Sequence, residues 1–285
     1  MRICKSVEEM QLVCRAVRRS GAELGLVPTM GALHEGHLSL LRKAKVECDA
    51  VVASIFVNPM QFAEGEDFDR YPRVFEEDCA KLEAEGVHLL FAPEVAEMYP
   101  AGARTFVEVG EIGERLDGAF RPGHFRGVAT VVAKLFHIVG PDRAYFGQKD
   151  AAQVAVLRAM VKDLNFSLKL VVCPTVREAD GLAMSSRNAG LSAEERAKAL
   201  VLRRALCAAK MLLHKGEASA ETLRSAMRAE FAREPAVRLE YAEVADPSTM
   251  MALDDASGEA LIAVAAWVGE TRLIDNMLVE VVRDE

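Results

Sequence analysis

His34 and His37 are the residues of this chain whose types and spacing most readily suggest chemistry. They stand three apart in Val27-Pro28-Thr29-Met30-Gly31-Ala32-Leu33-His34-Glu35-Gly36-His37, between a short apolar run and an amphipathic segment. Leu24 to Val27 reads as the end of a buried strand, Pro28 to Gly31 as the turn leaving it, and Gly36 to Lys45 as a helix with Leu38, Leu41 and Ala44 inward. The first N–H groups of such a helix have no backbone partner and carry the positive end of its dipole, so phosphate oxygens are favoured there. Two imidazoles on one face of that turn can hold a polyphosphate and stabilise the charge that builds up when pyrophosphate leaves. Either histidine alone would be an ordinary core or capping residue. Gly31, Gly36 and the preceding strand favour a functional pair.

Three more turns carry chemistry-bearing residues. Asn58 and Gln61 follow the apolar run Ala50 to Val57, which has the length and β-branched content of a strand covered on both faces. Loops at the carboxyl ends of parallel strands are where such sheets bind ligands, although Asn58-Pro59 is also an ordinary turn dipeptide. Gly147-Gln148-Lys149-Asp150 leaves the strand Arg143 to Phe146 for a helix from Ala151 to Asp163. There Lys149 can neutralise phosphate, Asp150 can accept from a ribose hydroxyl, and Gln153 shares a helical face with Lys149; the alternative is an N-cap aspartate beside a surface lysine. Ser185, Ser186 and Arg187 make either a mobile phosphate clamp or a loop with capping serines. The acidic run Glu76-Glu77-Asp78 is a solvated helix start or the carrier of a magnesium water shell.

These turns need elements to position them. Ser6 to Arg19 has the period of a surface helix, with Ser6 as cap and Glu9 in its third position. Strand, helix and strand through Val57 give a βαβ unit and a parallel sheet. Ala63 to Pro72 reads as an acidic rim or lid, Arg73 to Gly86 as an exposed helix with Phe75, Cys79 and Leu82 inward, and Val87 to Phe91 and Thr105 to Val109 as strands. Pro93 to Tyr99 is a helical turn. Leu116 to Gly127 is a Gly- and Pro-punctuated binding loop with Arg121, His124 and Arg126. Val128 to Val139 is an almost wholly apolar helix, hence buried, with a subunit contact as one possibility, and Ser167 to Val172 is a further strand. From Ser192 the texture changes: a long helix from Ser192 to Lys215, a second from Ser219 to Arg233, then strands Arg238 to Ala245, Ala260 to Trp267 and Thr271 to Val282. The fold class is therefore α/β: a Rossmann-like parallel sheet with helices on both faces, plus a smaller C-terminal α+β domain with antiparallel strands. The domains expected are residues 1–176 and 177–285.

The 285 residues carry 35 basic and 43 acidic side chains, for a net charge of −8. That balance argues against nucleic-acid binding, which rests on clustered Lys and Arg, but it admits a small anionic substrate. No apolar run is long enough to span a bilayer and the N-terminus does not resemble a signal peptide, so no membrane and a cytoplasmic location are expected. Six scattered cysteines lack CxxC spacing and read as small buried hydrophobes.

Several segments together resemble one family. Val27 to His37, Phe56-Val57-Asn58-Pro59-Met60-Gln61-Phe62, Tyr71-Pro72-Arg73, Arg121 to Gly127, Phe146 to Asp150, Asp180 to Asn188 and Leu273-Ile274-Asp275-Asn276 are similar, in order and over nearly the full chain, to the signatures of the pantothenate synthetase (pantoate–β-alanine ligase) family of HxGH nucleotidyltransferases. The resemblance implies an ATP-dependent ligase joining pantoate to β-alanine through a pantoyl adenylate, with release of AMP and pyrophosphate, Mg²⁺ accompanying ATP, and a homodimer. It implies His34, His37, Lys149 and Arg187 as catalytic residues. ATP would meet Met30, His34, His37, Gly147, Lys149, Asp150, Val176, Ser185, Ser186 and Arg187. Pantoate and β-alanine would meet Pro28, Thr29, Met30, Asn58, Gln61 and Gln153. The metal ligands are unassigned. Departures from the family pattern stand at Gln148, Ala152 and Asp117, and only Asp117 puts a role in question. The rival readings are another HxGH enzyme that keeps AMP on its product, and a non-catalytic adenine-nucleotide sensor.

Overall fold

The computed structural model describes residues 1–63 and 65–281. By internal contacts the chain divides into two compact units: residues 1–114, 118–147 and 156–174 in the first, and residues 115–117, 148–155 and 175 onward in the second.

The first unit holds strands β1 (Arg2–Cys4), β2 (Leu24–Thr29), β3 (Ala50–Ile55), β4 (Leu89–Phe91), β5 (Arg143–Gly147) and β6 (Lys169–Cys173). They pair in parallel in the order β1-β4-β3-β2-β5-β6. Between them in the chain run helices α1 (Val7–Arg19), α2 (Glu35–Glu47), α3 (Phe75–Ala84), α4 (Val95–Met98), α5 (Asp117–Phe120), α6 (His124–Val139) and α7 (Ala151–Asp163), of which Asp117 of α5 and residues 151–155 of α7 count with the second unit. Val27, Val51, Ala53, Leu90 and Tyr145 pack against Leu40, Leu41 and Ala44 of α2 and Leu82 of α3. The intervening Leu26 and Val52 are buried as well, and alternation along a strand turns them to the other face. Burial on both faces is why these strands read as continuous apolar runs. The strand order reverses between β2 and β5, so Thr29 and Gly147, their last residues, lie at the same carboxyl edge beside the switch point where α/β sheets bind ligands.

In the second unit, helices α8 (Ala193–Ala199), α9 (Val201–Leu213) and α10 (Ala220–Ala232) accompany strands β7 (Val237–Ala245), β8 (Gly258–Val268) and β9 (Thr271–Val281), antiparallel in that order. Leu202, Leu206, Leu223, Met227 and Phe231 bury against Ile262, Val264 and Ala266. Gly269, at φ 55°, permits the tight turn from β8 to β9. The Rossmann-like parallel sheet flanked by helices and the smaller antiparallel sheet are both as expected from the sequence.

Several boundaries differ from the sequence expectation. Strand β2 continues through Pro28 and Thr29; its ladder to β5 covers only Gly25 and Leu26, so no donor from Pro28 is needed on that side. Thr105 to Val109 forms no strand, because the Val107 N–H is taken by Thr130 Oγ1 at 2.9 Å and the Phe106 ring lies under the Arg126 guanidinium, 4.0 Å from its centroid. Helix α6 begins at His124, which turns the last residues of the expected loop into its first turn. The long helix from Ser192 is interrupted at Leu200, where α8 ends and α9 restarts. Strand β1 is only three residues long, too short for periodicity to reveal. Val282, placed in the last strand by its sequence, lies outside the described residues. Among the described residues no helix is long and apolar enough to cross a membrane.

Candidate active site

The turn after β2 folds back on itself through two consecutive left-handed residues, Gly31 at φ 84° and Ala32 at φ 51°. Such backbone persists for a non-glycine residue only when its surroundings hold it. The brace is Asp78 in the first turn of α3. Its side chain is 1% exposed, and its Oδ2 and Oδ1 accept from the Ala32 and Leu33 N–H groups, both at 2.7 Å. Lys81, one turn on, donates to the Leu33 carbonyl at 2.7 Å. Thr29 supports the same turn: its hydroxyl donates to the Ser54 carbonyl at 2.6 Å and accepts from the Gly31 N–H at 3.2 Å. Both carboxylate oxygens of Asp78 thus serve backbone donors of the turn. Among the described residues there is no group of three His, Cys, Asp or Glu side chains that could hold a metal ion.

His34 caps α2. Its Nδ1 accepts from the Gly36 N–H at 3.1 Å, and His37 Nδ1 accepts from the His34 N–H at 3.3 Å, a reciprocal capping box with imidazoles in place of the usual hydroxyl and carboxylate. A backbone N–H can only donate, so both Nδ1 atoms are unprotonated and each ring carries its proton on Nε2. The rings lie 4.1 Å apart between centroids. The pair therefore offers two neutral N–H donors held at a fixed spacing, an arrangement that suits an oxyanion and does not suit a general base. The Gly36 N–H, expected to face phosphate directly, is taken by His34, so the helix start acts through the imidazoles.

Asn58 and Gln61 bracket a single 3-10 turn, Pro59–Gln61, after β3. The Asn58 side chain is 1% exposed and all four of its hydrogen-bonding positions are filled. Oδ1 accepts from the Met60 N–H at 3.3 Å and from the Tyr99 hydroxyl at 2.9 Å, while Nδ2 donates to Gln61 Oε1 at 3.0 Å and to the Gly127 carbonyl at 3.1 Å. Burial pushes the Tyr99 phenol well above its ordinary value, so it stays a donor. Asn58 orients Gln61, whose Nε2 points at Met30 Sδ, 3.2 Å away. A thioether is a weak acceptor that a ligand oxygen readily replaces. Met30, Gln61 and the turn from Pro28 thus lie together in the first unit.

In the second unit, Gln148–Asp150 forms a 3-10 turn that opens α7, on which Gln153 sits one turn from Lys149. Lys149 Nζ donates to Asp150 Oδ1 at 3.2 Å. The turn is held from β9: Asn276 Nδ2 donates to the Gln148 carbonyl at 3.1 Å and the Lys149 carbonyl at 2.7 Å, and its Oδ1 accepts from Gln148 Nε2 at 3.3 Å. Its neighbour Asp275, 3% exposed, takes a bidentate pair from Arg177 at 2.7 and 2.9 Å. Ser185 caps the 3-10 turn Ser186–Gly190, its Oγ accepting from the Arg187 N–H at 3.3 Å. Asn188 anchors that turn to Glu178 at 2.7 Å and to the Ala183 carbonyl at 3.0 Å. The Arg196 guanidinium holds the Glu178 carboxyl below the ordinary value, so the anchor is an anion at neutral pH. Val176 accepts from the Met184 N–H at 3.0 Å, closing the strap that carries the serines.

The sequence reading passed over Lys81 and Tyr99; it met Asp78 only within an acidic run and Asn276 only within a family signature, and gave neither its part in these turns. Asp78 stands four residues before the inward Leu82, on the buried stripe of its helix, and that position was the available signal. Gln148, for which the sequence suggested no chemistry, is a partner of Asn276.

A model of the pantoate-beta-alanine ligase family matches residues 2–278. The pantothenate synthetase of Acidobacterium capsulatum is 67% identical over 255 residues, 90% of this chain and 85% of the relative. That of Koribacter versatilis is 55% identical over 280 residues, 98% of this chain and 96% of the relative. Among solved structures, a pantothenate synthetase of Thermus thermophilus superposes with a TM-score of 0.93 at 48% identity, covering 97% of this chain and 99% of that one. The pantoate-beta-alanine ligase of Francisella tularensis, described as complexed with Beta-gamma ATP and Beta-alanine, gives a TM-score of 0.77 at 34% identity, covering 98% and 97%. With its fold, its HxGH turn and this extent of likeness, the chain belongs to the pantoate–β-alanine ligase family of enzymes.

Proposed function

We propose that this chain carries out the family's ligation in two chemical steps. A carboxylate oxygen of pantoate attacks the α-phosphorus of ATP, the bond to the bridging oxygen breaks, and pyrophosphate leaves from pantoyl adenylate. The amine of β-alanine then attacks the acyl carbon, the C–O bond to the phosphate breaks, and AMP departs as pantothenate forms. A free carboxylate is a poor acyl donor; the mixed anhydride gives the amine a good leaving group. The first step needs positioning and charge stabilisation more than proton abstraction.

The observation that carries this reading is the histidine pair, two neutral Nε2–H donors fixed by the main chain at the start of α2. In it His34 and His37 bind the triphosphate and stabilise departing pyrophosphate. Lys149, Ser185, Ser186 and Arg187 hold phosphates, Gly147 and Asp150 the ribose, and Val176 and Met30 complete the nucleotide contacts. Gln61 and Gln153 hydrogen-bond pantoate, with Pro28 and Met30 lining its pocket and Thr29 and Asn58 fixing the pocket wall. Mg²⁺ would enter with ATP and would supply neutralisation of phosphate charge; no residue of this chain is assigned to it. A homodimer is proposed on the family resemblance, to be checked by sedimentation. A cytoplasmic location is supported by six cysteines that are all free.

The test is an assay with ATP, pantoate and Mg²⁺, with and without β-alanine, following AMP, pyrophosphate and the acid product by mass. AMP and pantothenate should accumulate only with β-alanine. A lasting adenylylated product, or ATP binding without turnover, overturns the reading.

A further inference from the structure

No side chain of the segment Arg121 to Gly127 is assigned to substrate, yet two of them close on a residue that is. His124 Nδ1 lies 2.8 Å, and Arg121 Nη2 3.2 Å, from the main-chain carbonyl of Gln61. Arg121 Nη1 is 3.1 Å from His124 Nε2. A guanidinium has donors only, so His124 Nε2 must accept, and its proton sits on Nδ1, where it donates to Gln61. Arg121 is fixed from its other side by a bidentate pair with Glu66, at 2.8 and 2.6 Å. Burial works to raise the Glu66 carboxyl, but the Arg121 pairing outweighs it and holds the group below its ordinary value. The backbone completes the clamp: a Cβ on Gly127 would stand 2.2 Å from the Met60 carbonyl oxygen and 2.6 Å from the Gln61 nitrogen, so only glycine lets α6 approach this closely.

We propose that Arg121, His124 and Gly127 are positioning residues for the pantoate site, which fix the main chain of Gln61 and through it the direction of its amide. The inference rests on the reading of Gln61 as a pantoate ligand. Two donors converge on one carbonyl while Asn58 holds the same residue's side chain at 3.0 Å, so Gln61 is pinned at both ends before substrate arrives. A preorganised amide saves the ordering cost that a mobile glutamine would impose on binding, and the effect falls on pantoate and not on ATP.

The experiment compares steady-state constants of His124→Ala, His124→Asn, Gln61→Ala and the His124→Ala/Gln61→Ala double variant. His124→Ala should raise the pantoate KM about tenfold, the worth of one well-placed hydrogen bond, with the ATP KM unchanged. His124→Asn, which puts an amide N–H near the place of Nδ1, should recover most of the loss. The double variant should have the pantoate KM of Gln61→Ala alone, because His124 acts only through Gln61. A raised KM in Gln61→Ala with a wild-type value in His124→Ala overturns this proposal and leaves the Gln61 reading standing, as does simple additivity in the double variant. A wild-type pantoate KM in Gln61→Ala overturns the reading of Gln61 and this proposal with it.

Discussion

At the scale of single residues, the site depends on which nitrogen of each imidazole faces the chain. Both Nδ1 atoms of His34 and His37 accept from backbone N–H groups, which leaves Nε2–H as the chemical end. A glutamine amide nitrogen reaches the place of Nε2, whereas an asparagine amide reaches only that of Nδ1. His37→Gln should therefore retain more adenylate formation than His37→Asn, and equal loss in both would contradict the tautomer. His34→Ala, which removes a donor aimed at developing charge, should slow pyrophosphate release by about a hundredfold or more while the fold persists. Near-normal turnover in that variant would take His34 out of the mechanism. The residue types and spacing that announce this pair were legible in the sequence. The commitment of Asn58 to four internal partners was not, because Tyr99 and Gly127 come from distant segments.

At the scale of elements, helix α3 exists for the turn as much as for the sheet. Asp78→Asn keeps one acceptor and sets an N–H group against a backbone donor, so it should cost about 2–3 kcal/mol in a denaturant titration and lower the rate of pyrophosphate formation in proportion. Unchanged stability would mean that the Gly31-Ala32 turn holds itself. Gly127→Ala should destabilise by about 1–3 kcal/mol, since the added carbon meets backbone that cannot move aside as a side chain would. Full stability in that variant would show that α6 and the Met60–Gln61 turn separate easily. Strands β2 and β3 and helices α1 and α7 were legible because period and caps are local. The start of α6 was misplaced because Gly123, at φ 81°, looks like a loop residue but stands as the cap of that helix. The Thr105 to Val109 segment has strand composition, and only the capture of its N–H by Thr130 explains why it stays out of the sheet.

At the scale of the whole molecule, alkaline stability follows from three shielded phenols, one on the fully buried Tyr145 and two on the partly buried Tyr99 and Tyr241. Burial raises Tyr99, Tyr145 and Tyr241 above the ordinary tyrosine value of 10.0, and Asp117 adds to the effect at Tyr241. A folded-state pKa raised above the unfolded one gives stability that is complete below the unfolded value and is lost as pH rises past it. The phenolate absorbance of these three should therefore appear together with unfolding in an alkaline titration. Their smooth titration in a folded protein would contradict their burial. The central claim, acyl activation by adenylation, is tested most directly by pantoate labelled with heavy oxygen in its carboxylate. If the carboxylate attacks the α-phosphorus and the amine then cleaves the acyl C–O bond, one labelled oxygen must appear in AMP. AMP free of label, with the heavy oxygen in inorganic phosphate or kept wholly in the product, would contradict the account.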